Sequence, residues 1–245
     1  MLSKSQIKYY RSLGLKKNRD NEQVFIAEGP KLVLDLLPYF KPESIFIEHK
    51  FEEDFKGFKA EVVEESDIQK ISLQKNPQGV FAVFKYKRTD LSLCDPGKEL
   101  ILALDDIQDP GNLGTIIRVC DWFGIINIVC SKGTVDVYNP KVVQSSMGAL
   151  GRINIHYTDL TDFLRISGAP VYGTFLEGED VYSSDLTSNG IIVMGNEGNG
   201  ISDAVSDLVT HKLYIPPYPG NSQTSESLNV ATATAIVCSE FRRRI

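Results

Sequence analysis

Apolar and polar positions alternate along the chain in short blocks that switch between strand and helix spacing. The first block predicts an amphipathic helix over 3–13, stopped by Gly14. VFIAEG (24–29) reads as a strand running into a Gly-Pro turn, and a helix follows over 31–37, ended near Pro38. SIFIE (44–48), AEVVE (60–64) and GVFAVFKYK (79–87) read as further strands, with short helical stretches around 52–56 and 66–71. The stretch KRTDLSLCDPGKE (87–99) is polar, contains Pro96-Gly97 and has no clean period. It is read as a join, with the linker proper at 91–98.

A second series begins at ELILALDD (99–106). Its predicted strands are ILALD, INIVCS (126–131), RINIHYT (152–158), PVYGTFL (170–176), GIIVMGN (190–196) and HKLYIP (211–216). Helices are expected near 112–123, 139–146, 159–166, 202–207 and 226–243. Strands that are continuous apolar runs, alternating with helices, predict an α/β fold with a parallel sheet covered on both faces. There is no internal repeat and no low-complexity tract.

Composition narrows the class. A chain of 245 residues, 42% hydrophobic and 24% charged, can bury one large core or two ordinary ones. No apolar run reaches the roughly 18–20 residues that span a bilayer. The polar, basic start MLSKSQIKYYRSL has no apolar core of the secretory kind. Four scattered cysteines (Cys94, Cys120, Cys130, Cys238) form no C-x-x-C pair, and the three histidines complete no metal set. Reduced thiols in a cytoplasmic protein without a metal are the expectation.

A net charge of −6 argues against a protein that coats nucleic acid by bulk charge. A local patch remains open. Residues 1–35 hold Lys4, Lys8, Arg11, Lys16, Lys17, Arg19 and Lys31, and the chain ends in Arg242, Arg243 and Arg244. The plain alternative for each cluster is a solvated helix face.

In open α/β sheets ligands bind beyond the carboxyl ends of the strands, and three such places carry unusual chemistry. In LDDIQDPGNLGTIIRVCDWFG (104–124) a strand ends in acids, turns at Pro-Gly and enters a helix near Asn112. Asn112 and Arg118 then lie about 120° apart around the helix axis. The plain alternative makes Asn112 a helix cap and Arg118 a surface cation. In IIVMGNEGNGIS (191–202) three glycines and a carboxylate follow a buried strand. The spacing G-x-x-G-x-G is neither a dinucleotide fingerprint nor a P-loop. Such a loop folds tightly and leaves backbone groups free to read a flat ligand. The plain alternative is a glycine-rich turn into a helix capped at Ser202. In IPPYPGNSQTSESLNVATATAIVCSEFRRR (215–244) a turn-rich loop leads to Ser227, Asn229 and a helix of small residues. Here the plain alternative is a serine cap on a tightly packed terminal helix.

Taken together, DPGNLGTIIRVCDWFG, IVMGNEGNGIS and IPPYPGNSQTSESLNVATATAI resemble, in order and spacing, the three motifs of the SpoU (TrmH-like) branch of the SPOUT methyltransferases. The resemblance covers 99–245. Residues 1–90, through SKSQIKYYRSLGLKKNRDNEQVFIAEGPKLV and NPQGVFAVF, resemble the L30e-like substrate-binding domain that often precedes it.

The resemblance implies a parallel sheet with a deep trefoil knot, a homodimer, and S-adenosylmethionine bound in the knot mostly by backbone. It implies cofactor contacts at Thr174, Gly195, Asn196, Gly198, Gly200, Ile215 and Leu228. Asn112, Arg118, Glu197, Ser227 and Asn229 match the family's catalytic positions. Arg118 would act at a ribose 2′-hydroxyl. Guanidinium groups titrate above about 12, so orientation of the hydroxyl and stabilisation of developing alkoxide are preferred to a base role. Lys4, Arg11, Lys16, Lys17, Arg19 and Lys31 are the candidate RNA contacts. The loop between Ile215 and Ser227 is longer than in many family members, so cofactor contacts are not carried over within it. The two-domain layout favours ribosomal RNA over transfer RNA. An RNA-binding assembly protein on a decayed scaffold is opposed by the intact site residues, and a nicotinamide enzyme by the glycine spacing.

Overall fold

The computed structural model describes residues 1–219 and 227–243. In chain order the first elements are α1 (Lys4–Ser12), α2 (Lys16–Glu22), β1 (Val24–Glu28), α3 (Pro30–Leu36), β2 (Pro42–Ile47), β3 (Glu61–Val62), α4 (Glu65–Ile71) and β4 (Val80–Lys85). Then come β5 (Leu100–Leu104), α5 (Pro110–Trp122), β6 (Asn127–Ser131), α6 (Pro140–Ser145), β7 (Asn154–Thr158) and α7 (Leu160–Ser167). The last are β8 (Val171–Asp180), β9 (Gly190–Met194), α8 (Asp203–Ser206), β10 (His211–Tyr214) and α9 (Val230–Arg243).

Two compact units result. One comprises Met1–Arg88 with Asp136–Arg152, and the other Thr89–Val135 with Ile153–Ile245. The sequence placed 136–152 with the second series; by packing, this segment and its helix α6 belong to the first unit.

In the first unit four strands run in the order β1-β4-β2-β3. β4 is antiparallel to both β1 and β2, with Ile26 opposite Val83 and Ile45 opposite Ala82. Both faces of β1 are buried, as its apolar run from Val24 to Ala27 requires. Val24 and Ile26 join a core with Leu13, Phe46, Ile68 and Phe81. Phe25 on the opposite face stacks on Tyr138 and meets Phe40 edge-on.

The predicted strand at 60–64 is reduced to the two residues of β3. The helix expected around 52–56 is instead a single 3₁₀ turn at His49–Phe51. Helix α2 was not anticipated. Its sequence KKNRDNE has no apolar residue, yet Arg19 is buried on it. The Arg19 guanidinium donates to Asp136 Oδ2 (2.6 Å) and to the carbonyls of Leu13 and Gly14. The candidate RNA contact at Arg19 is therefore corrected: its charge is spent inside the protein.

The second unit is a six-stranded sheet in the order β10-β8-β9-β5-β6-β7, parallel throughout. β5 (LILAL) and β9 (GIIVM) lie side by side in its middle and are fully buried, with Leu104 paired to Met194. Helices α7 and α8 cover one face through Leu160, Phe163 and Val205. α9 packs on α5. The carboxyl ends of β5 and β9 are thus adjacent, and the chain leaving each one meets the other.

Candidate active site at the carboxyl ends of β5 and β9

Beyond β5 the chain turns through Asp105 and Asp106 into α5. Asp109 caps this helix by accepting from the Asn112 backbone N–H (2.9 Å), and Pro110 occupies its first turn. Asp109, not Asn112, is the cap. The Asn112 side chain is consequently available to other partners. Its Nδ2 donates to Glu197 Oε1 (2.9 Å), and its Oδ1 accepts from Asn229 Nδ2 (2.9 Å). One asparagine thereby joins the segments after β5, after β9 and before α9. Glu197 also faces the N–H groups of Gln108 and Asp109, each at 3.4 Å. Asn229 in turn caps α9, accepting from the N–H groups of Ala231 and Thr232. The cap of α9 is therefore Asn229 rather than Ser227, and the helix starts at Val230, four residues later than the sequence suggested.

The loop after β9 is held from within. The backbones of Asn196 and Gly200 exchange two hydrogen bonds of 2.9 Å, and Asn196 Oδ1 accepts from the N–H groups of Gly198 and Asn199. Asn196 Nδ2 donates to the Asp106 carbonyl (2.7 Å). A side chain at Gly195 would place its Cβ 2.3 Å from the backbone of Gly200 and Ile201, so only glycine permits this closure. Gly200 takes φ +72° and has open space around it. The exit of the loop is pinned by Asp105, whose Oδ2 accepts from both the N–H (2.8 Å) and the hydroxyl (2.7 Å) of Ser202. Sequence reasoning missed Asp105 as a site residue. The available signal was a carboxylate at the end of a fully apolar strand.

The remaining expected positions lie around this centre in different ways. Thr174 sits where β8 bulges between its two stretches of pairing with β10, its hydroxyl directed at the Val193 carbonyl (3.4 Å). Ile215 is half-buried just past β10. Ser227 and Leu228 are exposed. Arg118 is exposed on α5 and makes no hydrogen bond or ion pair with any described residue. The structure thus brings Asn112, Glu197 and Asn229 together and leaves Arg118 outside their network. Residues 220–226 of the long loop, and Arg244, lie outside the described residues.

Lys4, Arg11, Lys16, Lys17 and Lys31 are exposed on the first unit. Lys16 pairs with Asp20 (2.7 Å) and Arg11 donates to the Lys70 carbonyl (3.3 Å). At the other terminus, Arg242 donates to the carbonyls of Phe123 and Gly124 at the end of α5, and Arg243 pairs with Glu240 (2.7 Å). These two arginines are engaged within the second unit rather than presented as a free phosphate-binding tail.

Among the described residues, no helix is long and apolar enough to cross a membrane. None of their histidine, cysteine and acidic side chains forms a group of three placed to hold a metal. All four cysteines are free thiols, and burial pushes the thiols of Cys120, Cys130 and Cys238 upward.

A parallel sheet whose central strand ends carry a glycine loop tied into a carboxylate-asparagine-asparagine bridge centred on Asn112 defines an α/β domain built to bind a ligand at that edge. Residues 99–239 match the SpoU rRNA Methylase family, and residues 4–82 match the MRM3-like substrate binding domain. The chain belongs to the SpoU rRNA methylase family.

A relative from Bacillus subtilis (strain 168), the 23S rRNA (guanosine(2553)-2′-O)-methyltransferase RlmP, is 31% identical. The match spans 97% of this chain and 96% of that one. Among solved structures, a protein of the TrmH family from Porphyromonas gingivalis is 42% identical, with a TM-score of 0.90 over 100% of both chains. The AdoMet-bound rRNA methyltransferase from Sinorhizobium meliloti is 32% identical, with a TM-score of 0.88 over 100% of this chain and 97% of that one.

Proposed function

We propose that this protein transfers a methyl group from S-adenosylmethionine to a ribose 2′-hydroxyl of ribosomal RNA. The observation that carries the reading is the Asn112 bridge, which ties the three motif segments together at one strand edge. Family membership and an rRNA-methylating relative matched along nearly its whole length agree with it.

The residues present fit the cofactor. The loop at 195–200 offers bare backbone and open space at Gly200, while the half-buried Ile215 and the partly exposed Leu228 offer apolar surface. Thr174, Gly195, Asn196, Gly198, Gly200, Ile215 and Leu228 would hold it. When bound, S-adenosylmethionine supplies an electrophilic methyl carbon. The protein's own share is alignment, since an in-line displacement gains much of its rate from fixed geometry. Glu197, Asn112 and Asn229 form a hydrogen-bonded polar floor. Ser227 stands just ahead of Asn229. Arg118, without an internal partner among the described residues, is available to the ribose hydroxyl or its neighbouring phosphate, where it would stabilise the developing negative charge.

Residues 1–90 recognise the RNA, with Lys4, Arg11, Lys16, Lys17 and Lys31 toward phosphate, and 99–245 perform the transfer. The knot implied by the resemblance agrees with a chain that leaves β10 at one sheet edge and returns as α9 against α5. A homodimer agrees with the strongly exposed Trp122 and Ile126 beside the end of α5. A cytoplasmic location agrees with four free thiols.

The test is incubation of purified protein with methyl-labelled S-adenosylmethionine and either ribosomal or transfer RNA, followed by nucleoside digestion. A labelled 2′-O-methylnucleoside from ribosomal RNA is expected. Label confined to transfer RNA would move the substrate, and label on a base would reject the chemistry.

A further inference from the structure

The first unit contains a cavity of about 420 Å³ that no step above uses. It lies between β1, the chain after α4 and helix α6. Its lining is mixed. Ile26, Leu73 and Pro140 give apolar walls, and Glu28, Gln74, Gln144 and Lys141 bring polar groups to the same space. Glu28 is 5% exposed, and its two oxygens accept from the Ser72 hydroxyl and the Leu73 N–H. Each oxygen keeps a second acceptor position. Gln74 donates to Gln144 Oε1 (2.9 Å), which leaves the Gln74 oxygen and the Gln144 amide hydrogens for another partner. Lys141 is exposed.

We propose that this cavity takes one guanine nucleotide unstacked from the RNA substrate, its N1–H and N2–H₂ edge on the Glu28 carboxylate and its phosphate toward Lys141. The volume exceeds that of a bare base and accommodates a single nucleotide. The apolar walls suit its faces, as single-stranded bases are read in pockets of this kind. Guanine is the base that presents two adjacent N–H donors to one carboxylate. Adenine, cytosine and uracil do not match this arrangement of acceptors. Burial pushes the Glu28 carboxyl above its ordinary range, while the bonds from Ser72 and Leu73 oppose that rise. Two further N–H donors from a ligand would favour the ionised carboxylate. The inference rests on the reading of residues 1–90 as the RNA-recognising part, with which the 136–152 segment packs in one unit.

The test is a nitrogen-15 NMR titration of the full chain with GMP, IMP and AMP. GMP is expected to bind at this cavity, IMP more weakly for lack of the N2 amino group, and AMP at least about tenfold more weakly still. Glu28→Gln should abolish the preference for GMP over AMP. Because Glu28 also holds Ser72 and Leu73, Gln144→Leu and Lys141→Ala, on the more accessible side, must each weaken GMP binding severalfold. A fragment of ribosomal RNA should displace GMP. Equal binding of all three nucleotides, no binding, or unchanged affinity in the two outer variants would overturn the assignment. GMP that ribosomal RNA fails to displace would overturn its origin in the RNA strand. Wild-type protein that methylates ribosomal RNA without binding GMP overturns the cavity alone. Wild-type protein that methylates no RNA overturns the proposed function, and this assignment with it.

Discussion

The side-chain amide of Asn112 stands 2.9 Å from the Glu197 carboxylate across 85 residues of sequence. The second arm of the same amide reaches Asn229, 117 residues away. Neither bond is local, so each reports how the sheet assembles the site.

Replacing Asn112 by aspartate tests this bridge. Asn112→Asp removes the donor and sets a second carboxylate against Glu197. Methyl transfer should fall by about 10²–10³-fold, as expected when positioning and electrostatic order are lost together. Affinity for S-adenosylhomocysteine, measured by calorimetry, should change by less than about tenfold, because the 195–200 loop is closed by its own bonds.

The glycine loop makes a contrasting pair. Gly195→Ala forces a Cβ to 2.3 Å from the Gly200 and Ile201 backbone, whereas at Gly198 the nearest atom is 3.6 Å away. The first should cost about 1–3 kcal/mol in stability and remove cofactor binding; the second should leave stability near wild type. Thermal unfolding and calorimetry on the two variants read the difference.

Arg118→Lys separates an orienting role from a base role. Lysine keeps the charge and loses the planar fork. An orienting Arg118 predicts a fall of about 10²-fold or more in turnover with an unmoved pH optimum. A base role predicts a profile that rises at lower pH, since ammonium groups lose their proton near about 10.4, below guanidinium. Initial rates between neutral and alkaline pH decide between them.

Arg19 and Asp136 form an ion pair with little exposure on either side chain. Removing one partner leaves the other charge buried, so Arg19→Ala should destabilise the first unit by about 3–5 kcal/mol. Lys17→Ala, on an exposed position of the same helix, should leave unfolding within about 0.5 kcal/mol and act only on RNA affinity. An Arg19→Ala protein as stable as wild type would remove the structural role assigned to this arginine.

The central strands were legible because β5 and β9 are unbroken apolar runs, and burial on both faces is what such runs require. Helix α5 was legible from its Pro-Gly entry, but its cap was not. Both Asp109 and Asn112 are capping types, and only the fold shows that Asn112 has distant partners. Helix α2 was invisible because its period is polar and its one buried residue is an arginine paired with Asp136. The placement of α6 in the first unit was equally invisible, since its local pattern suits either neighbour. Asn112, Glu197 and Asn229 were named from motif order and resemblance. Their mutual bonds depend on strand adjacency, which spacing along a chain does not encode.

The most direct measurement is a map of 2′-O-methylated riboses in total RNA from cells with and without this gene. The account predicts that a ribosomal RNA position loses its methyl group on deletion and regains it with the wild-type gene but not with Asn112→Asp. An unchanged ribosomal map, or a loss confined to transfer RNA, would contradict it.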